Sequence, residues 1–344
     1  MKVLVIGGAG FIGCNIAARR ILEGKHSVLI LDNLSRRGTP ENLRWLRTLG
    51  SFEFIRTDIR RSDELEVLFS EHPDIDVVYH MAAQGAVTLS VTDPREDFEV
   101  NALGSFNVLE AIRRGPARPV LIFASTNKVY GGMEDVEIVE VDGRYAYRDF
   151  PDGMTESRTL DFHSPYGCSK GAADQYVRDY ARIYGLETIT FRQSCIYGHR
   201  QFGLEDQGWV AWFTIQAVLG RPITIFGDGK QVRDMLYVED LLDAYDAAME
   251  KRDVTRGRIY NVGGGPFNRM SLHDLVAYLE QLTRRRVSVS YDGWRPGDQP
   301  VFVSNVDLAK SDFGWAPKTS PQEGVRKLFE WVSEHAQLFL ELGL

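Results

Sequence analysis

Cysteine is scarce in this 344-residue chain: Cys14, Cys168 and Cys195 are all it has. No pair has a metal-ligand spacing, and nothing resembles a disulfide framework. A reducing, cytoplasmic setting is expected. The seven histidines form no HExxH pattern and no cluster, so no catalytic metal is expected. Net charge is −8 and no basic tract stands out, which argues against a nucleic-acid partner. Arg284-Arg285-Arg286 is short and suits a solvated helix end. No apolar run reaches the ~18 residues that span a bilayer, so no membrane partner is expected. Met1 to Ile6 is apolar only until Gly7 and Gly8, with no cleavage-site pattern after it, and reads as a strand rather than a signal peptide.

What is present is ordinary globular material. Hydrophobic content of 44% and charged content of 26% suit one large or two medium domains with an ample core. Lys2–Ile6, Ser27–Asp32, Phe52–Thr57, Val77–His80, Val120–Ser125 and Leu186–Arg192 are short, apolar and rich in β-branched residues. Between them lie periodic segments, Phe11–Glu23, Asp63–Glu71, Phe98–Arg114 and Pro165–Tyr184. That alternation predicts an α/β fold, a parallel sheet covered by helices on both faces. After about residue 195 the rhythm breaks. Gly208–Leu219 reads as a helix, Arg258–Val262 as a strand, Ser271–Thr283 as a helix capped by Ser271, and Gln322–Leu342 as a last helix with Gly343 just past its end. This second half predicts a smaller, irregular α/β lobe.

Gly7-Gly8-Ala9-Gly10-Phe11-Ile12-Gly13 follows the first strand and opens the first helix. Glycines at 7, 10 and 13 allow a tight turn, close approach to a pyrophosphate and close helix–strand packing. The helix N-terminus adds N–H groups and a positive dipole end. Asp32 ends the second strand about 20 residues past Gly13, where an acid bonds ribose hydroxyls and repels a 2′-phosphate. A plain glycine turn is the competing reading, and the strand, helix and acid in register weigh against it. The fold expected is therefore a Rossmann-type doubly wound parallel sheet with NAD as cofactor. Arg36 and Arg37 weaken the preference over NADP slightly. Asp58, ending the third strand, suits either the adenine amino group or a turn.

Tyr166 and Lys170 lie four apart behind Pro165, a residue suited to a helix's first turn. An ammonium on the same helical face favours a phenolate, so the tyrosine can act as a base. Working near neutral pH requires its pKa to fall from ~10 to ~7, about 4 kcal/mol of differential stabilisation. The spacing alone is weak; beside a dinucleotide loop it is informative. Cys168, between the pair, reads as inert packing.

With these motifs the chain resembles the extended short-chain dehydrogenase/reductases that modify nucleotide sugars. His80-Met81-Ala82-Ala83-Gln84, Asn101-Ala102-Leu103-Gly104, Ser125-Thr126-Asn127-Lys128-Val129-Tyr130-Gly131 and Gly229-Lys230-Gln231-Val232-Arg233-Asp234 agree with it. Two longer strings, Asp161 to Tyr176 and Arg200-Gln201-Phe202 with Asp206-Gln207-Gly208-Trp209-Val210, resemble the CDP-paratose 2-epimerases, also called CDP-tyvelose 2-epimerases.

The resemblance implies a catalytic set of Thr126, Tyr166 and Lys170: a hydroxyl on the reacting oxygen, the base, and its electrostatic partner and ribose contact. It implies a cofactor set of Gly7, Gly10, Phe11, Ile12, Gly13, Asp32, Asn33, Ser35, Arg36, Asp58, Ile59, Ala82, Asn101 and Lys170. Arg233 and Arg295 become candidate diphosphate clamps, against surface ion pairs of Arg233 with Asp234 and of Arg295 with Asp298. Gln84, Ser125, Gln193, Gln201, Gln207 and Gln231 become candidate sugar or base contacts, although buried glutamines often just satisfy backbone groups. Residues 1–192 are the implied NAD domain and 193–344 mainly the substrate lobe, with segments near 230–262 returning to the first. The implied activity is inversion of carbon 2 of a CDP-linked hexose with retained NAD; carbon 4, another nucleotide sugar, or net oxidoreduction are the alternatives. Related 4,6-dehydratases carry Asp-Glu after the hydroxyl residue where this chain has Asn127-Lys128, which argues against elimination. A homodimer or homotetramer through Phe98–Arg114 and Pro165–Tyr184 is also implied.

Overall fold

The computed structural model describes Met1–Arg295 and Gly297–Leu344. Pro296, in the loop expected on the nucleotide, lies outside the described residues. The chain forms two compact units. One comprises Met1–Thr126, Pro165–Arg192 and Tyr245–Tyr260; the other comprises Asn127–Ser164, Gln193–Ala244 and Asn261–Leu344.

The first unit is built on strands β1 (Lys2–Ile6), β2 (Ser27–Leu31), β3 (Glu53–Ile55), β4 (Val77–His80), β5 (Val120–Thr126), β6 (Thr188–Gln193) and β7 (Arg258–Val262). They form one Rossmann-type sheet in the order β7-β6-β5-β4-β1-β2-β3. β1 runs parallel to both β2 and β4, β2 to β3, and β4 to β5. β1, β4 and β6 are buried almost throughout, as expected of strands covered on both faces. Leu4, Ile6, Val78, Leu121 and Phe123 from the strands pack with Val108, Ile112, Ala173 and Val177 from the helices. Strand order reverses between β4 and β1, and that switch point opens the crevice where such sheets bind ligands.

Several helical expectations change. Phe98–Arg114 is not one helix: Pro94–Phe98 is α-helical, Glu99–Leu103 forms a π turn, and Gly104–Arg114 resumes α-helix. The extra residue of a π turn turns a side chain out of register, and here it carries Asn101. The last helix breaks at His335 into Pro321–Glu334 and Ala336–Glu341. The His335 ring meets the Trp331 carbonyl oxygen at 2.8 Å at that break. Thr39–Leu49 is a further helix the periodicity does not predict.

The second unit holds small sheets. Val232–Asp234 pairs with Arg269–Ser271 and Val301–Phe302, Ile223–Phe226 pairs with Val289–Asp292, and Ile138–Val141 forms a hairpin with Arg144–Tyr147. Trp209–Leu219, Leu272–Thr283 and Pro321–Glu334 contribute Phe213, Leu275, Leu279 and Leu328 to its core. Ser271 caps its helix through a reciprocal capping box with Asp274. Among the described residues no helix is long and apolar enough to cross a membrane.

Candidate active site

The glycine loop is tied to the sheet before any ligand arrives. Gly7 and Gly8 both donate their N–H to the Leu31 carbonyl at 2.8 and 3.2 Å. A Cβ on Gly13 would lie 2.1 Å from the Gly7 oxygen, and one on Gly7 2.6 Å from the Ala82 nitrogen. No side chain fits at either position, so the loop presents bare backbone to the mouth of the sheet. The helix Phe11–Leu22 starts from Gly10 with no acidic residue in its first turn, leaving its dipole end open to an anion.

Asp32 is buried at 7% exposure and accepts from Ala9 N at 2.9 Å and Leu34 N at 2.8 Å. Burial pushes its carboxyl up, against the lowering effect of those N–H groups. The acid is thus aimed by the loop it serves. These features fit the pyrophosphate and adenosine ribose of NAD, with Phe11 and Ile12 in the helix's first turn. Asn33 bridges onward: its Nδ2 donates to Asp58 at 2.7 Å and its Oδ1 accepts from Ser35 N. Asp58 is also gripped by Arg60 at 2.8 and 2.9 Å, which holds its carboxyl down to about 2. Ile59 beside it is buried against Gly104.

Tyr166 and Lys170 both lie on the helix Ser164–Tyr184, which opens with Pro165 behind a left-handed Ser164 (φ 66°). Tyr166 is half-buried, hydrogen-bonds the Thr126 side chain, and takes a Ser90 Oγ contact on its own N–H at 3.1 Å. Lys170 is 3% exposed. Its ammonium donates to the Ala124 carbonyl at 2.6 Å and stands 4.5 Å from the centre of the Phe123 ring. The expectation that Lys170 holds the Tyr166 pKa down is corrected here. Burial pushes the phenol up; the Thr126 bond and the Arg36 charge oppose it, and Asp97 adds to it. Burial likewise pushes Lys170 down to about 8, with Asp174 and Asp97 opposing. Cys168 is exposed rather than packed.

Asn101, brought inward by the π turn, exchanges hydrogen bonds with the Gln84 backbone at 2.9 Å each and donates to Asp97 and Ser169. Asp97 is fully buried and also accepts from Ser169 Oγ and Gln84 Nε2. Gln84 therefore does not meet the expectation of a substrate contact: its amide is closed on Ala86 and Asp97. Ser125 is used the same way. Its Oγ donates at 2.6 Å to Asp174, which Arg192 grips at 2.9 and 3.1 Å with both partners buried. Asp97, Ser169, Asp174 and Arg192 are absent from the sequence reading. Asp174 lies one helical turn past Lys170, a signal that was available. Asp97 and Arg192 had none.

The remaining candidates lie in the second unit. Arg233 Nη1 donates to the Val232 carbonyl and Nη2 stands 3.5 Å from Asp298, not the Asp234 of the competing reading, whose carboxylate accepts from Ser194 Oγ. Arg295 donates to the Glu205 carbonyl at 2.8 Å and lies 3.7 Å over the Phe226 ring. Gln231 is buried with Nε2 on the Phe226 carbonyl, and Gln201 Nε2 reaches the Ile196 carbonyl at 3.5 Å. Gln207 pairs its backbone with Leu204 in a tight loop, and Gln193 is buried at the end of β6.

A dinucleotide loop, a ribose acid and a Thr–Tyr–Lys set on one Rossmann sheet are the marks of a short-chain dehydrogenase/reductase. Residues 3–263 match the model of the NAD dependent epimerase/dehydratase family, and the chain belongs to that family. It is 44% identical over 338 residues to the CDP-paratose 2-epimerase of Salmonella typhi, covering 97% of this chain and 99% of that one. Among solved structures it is similar to the UDP-glucose 4-epimerase of Thermotoga maritima with UDP-glucose, at 32% identity and TM-score 0.83, covering 97% and 99% of the two chains. The Thermus thermophilus UDP-glucose 4-epimerase in complex with NAD gives 33% identity and TM-score 0.80, covering 96% and 98%.

Proposed function

We propose that this protein inverts carbon 2 of a CDP-linked hexose, of the CDP-paratose/CDP-tyvelose type, through a transient 2-keto sugar. The observation that carries it is the 44% identity, across nearly all of both chains, to a CDP-paratose 2-epimerase. When bound, NAD supplies the one thing no side chain can, a reversible acceptor for the hydride of the carbinol carbon. Tyr166 takes the hydroxyl proton as the sugar is oxidised and returns it when the opposite face is reduced. Thr126, bonded to Tyr166, orients the oxygen that loses and regains that proton. Arg36 supplies positive field against the burial that opposes a phenolate.

Asp32 and the glycine loop would hold the cofactor's adenosine and pyrophosphate, and Lys170 its other ribose. Asn127 and Lys128 offer no carboxyl pair for water loss. Arg233 and Arg295 are the diphosphate clamps of this reading. A homodimer or homotetramer in the cytoplasm completes it, and exposed Phe98, Tyr176, Ile183 and Tyr184 on the two expected contact helices support the oligomer.

The test is to give the purified protein CDP-linked hexoses without added NAD and follow carbon 2 by NMR in deuterated water. Inversion without deuterium at carbon 2 is expected, and Tyr166→Phe should cost about 10²–10⁴ in kcat. Solvent deuterium entering carbon 2 at each turnover would overturn the oxidation route in favour of proton abstraction. Likeness to two UDP-glucose 4-epimerases supports carbon 4 as the second reading; turnover of UDP-glucose but not CDP-sugars would select it.

A further inference from the structure

We propose that Asp97 is the counter-charge of Lys170, a positioning residue whose carboxylate keeps the ammonium charged without bonding to it. The charge relation stands on the geometry of the first unit alone, and its part in turnover rests on the epimerase reading above.

Both groups are buried ions, and neither has an ion-pair partner among the described residues. Lys170 donates to the Ala124 carbonyl at 2.6 Å and faces the Phe123 ring. Asp97 accepts from Gln84 Nε2 at 2.9 Å, from Asn101 Nδ2 at 3.1 Å and from Ser169 Oγ. All three donors are neutral. Buried charges are costly unless an opposite charge answers them. Here each answers the other across one residue of chain, because Ser169 immediately precedes Lys170 on the same helix. Burial pushes Asp97 up and the Lys170 charge opposes it. Burial pushes Lys170 down, and Asp174 and then Asp97 oppose that.

Asp174 already has its own cation, since Arg192 grips it at 2.9 and 3.1 Å and Ser125 Oγ adds a bond at 2.6 Å. Asp97 has none. The remaining groups facing the pair are His80, which burial and the Lys170 charge push down to about 3, and Tyr166, with Arg36 acting on it. His80 is therefore neutral wherever Lys170 titrates.

The surroundings of Asp97 are set for an anion. Gln84 Oε1 accepts from Ala86 N at 2.5 Å, and Asn101 Oδ1 accepts from Gln84 N at 2.9 Å. Those backbone bonds fix both amides with their NH₂ groups toward Asp97. A direct salt bridge would engage the Nζ donors of Lys170. A carboxylate one residue removed supplies the charge and leaves those donors to a cofactor ribose.

The plainer role for Asp97 is to brace the π turn, and Asp97→Asn separates the two. Its carbonyl still accepts from both amides and its NH₂ donates to Ser169 Oγ. The Ser169 hydroxyl then turns to the Tyr166 carbonyl, 3.2 Å away. The brace stays and the charge goes.

Urea unfolding is followed from pH 6 to pH 10.5 for wild type and Asp97→Asn, each with and without Lys170→Met. Within each pair, the stability difference reports where Lys170 titrates in the folded protein. A depressed lysine carries its full penalty below the folded pKa and is relieved above it. In wild type that relief begins near pH 8. Without the Asp97 charge it should begin about one pH unit lower. The same onset in both pairs would overturn the proposal. Ser169→Ala keeps the carboxylate and removes one donor, so its onset, read against its own Lys170→Met partner, should match wild type. An onset one unit lower there would put the effect in helix geometry rather than charge, and this arm decides alone if Asp97→Asn fails to fold.

No substrate enters that measurement, so failure of the carbon 2 reading leaves it intact. With CDP-hexose turnover in hand, the pH profile of kcat in Asp97→Asn should move to lower pH on both limbs, because Asp97 also opposes a phenolate at Tyr166. Turnover lost equally at every pH would mark a brace and overturn the role in catalysis.

Discussion

Lys170→Met removes an ammonium that is 3% exposed and whose pKa lies near 8 rather than 10.5. A depression of that size is about 3 kcal/mol of burial penalty on the charged form. The folded pKa lies below the unfolded one, so the penalty is full below pH 8 and is relieved as pH rises toward 10.5. Between pH 7 and pH 10, the wild type should therefore gain about 2.5 kcal/mol of stability relative to Lys170→Met. At pH 7 the variant escapes the penalty but strands the Ala124 carbonyl, which the ammonium meets at 2.6 Å, a loss of about 1–3 kcal/mol. The two proteins should thus lie within about 2 kcal/mol of each other at pH 7, while activity is lost. Urea midpoints of both proteins at pH 7 and pH 10 give the answer. Lys128, whose pKa also lies near 8, titrates in both proteins and cancels in the difference. A stability difference that stays flat from pH 7 to pH 10 would refute the reasoning, because it would mean Lys170 is not desolvated.

Asp174→Asn leaves the buried Arg192 guanidinium without its carboxylate and should cost about 3–5 kcal/mol in urea unfolding, whereas Asp174→Leu with Arg192→Met should recover most of it. A double variant as unstable as the single would contradict this. Gly13→Ala forces a Cβ to 2.1 Å from the Gly7 oxygen, so NAD released from the denatured protein should fall well below one per chain. Asp32→Ala should reduce the preference for NADH over NADPH, read by fluorescence titration, by about 10-fold or more, roughly 1.4 kcal/mol. An unchanged ratio would remove Asp32 from the cofactor site.

The glycine loop was legible because its requirements are local. Gly7 and Gly13 sit where no side chain fits, and strand, turn and helix follow one another without a gap. Tyr166 and Lys170 were legible for the same reason, since a spacing of four on one helix fixes a shared face. Their electrostatics were not legible. Charge spacing says nothing of burial, and burial moved the Tyr166 phenol opposite to the simple expectation while pushing Lys170 down. Gln84 and Ser125 went astray because their partners, Asp97 and Asp174, come from distant segments. The π turn at Glu99–Leu103 was hidden for another reason. An apolar pattern at helical period continues across it, and only the demand for Asn101 to face inward reveals the extra residue.

The sheet's seventh strand has a consequence for synthesis. β7 comes from Arg258–Val262, yet it is the outer neighbour of β6, made from Thr188–Gln193. A nascent chain therefore carries a strand that is buried in the finished fold, with an open hydrogen-bonding edge, until some seventy more residues have been translated. Open edges of that kind recruit other chains. The ribosome-bound protein should lean on holdase chaperones through that interval, and a stop codon placed between residues 193 and 258 should yield insoluble product rather than a free-standing nucleotide-binding domain.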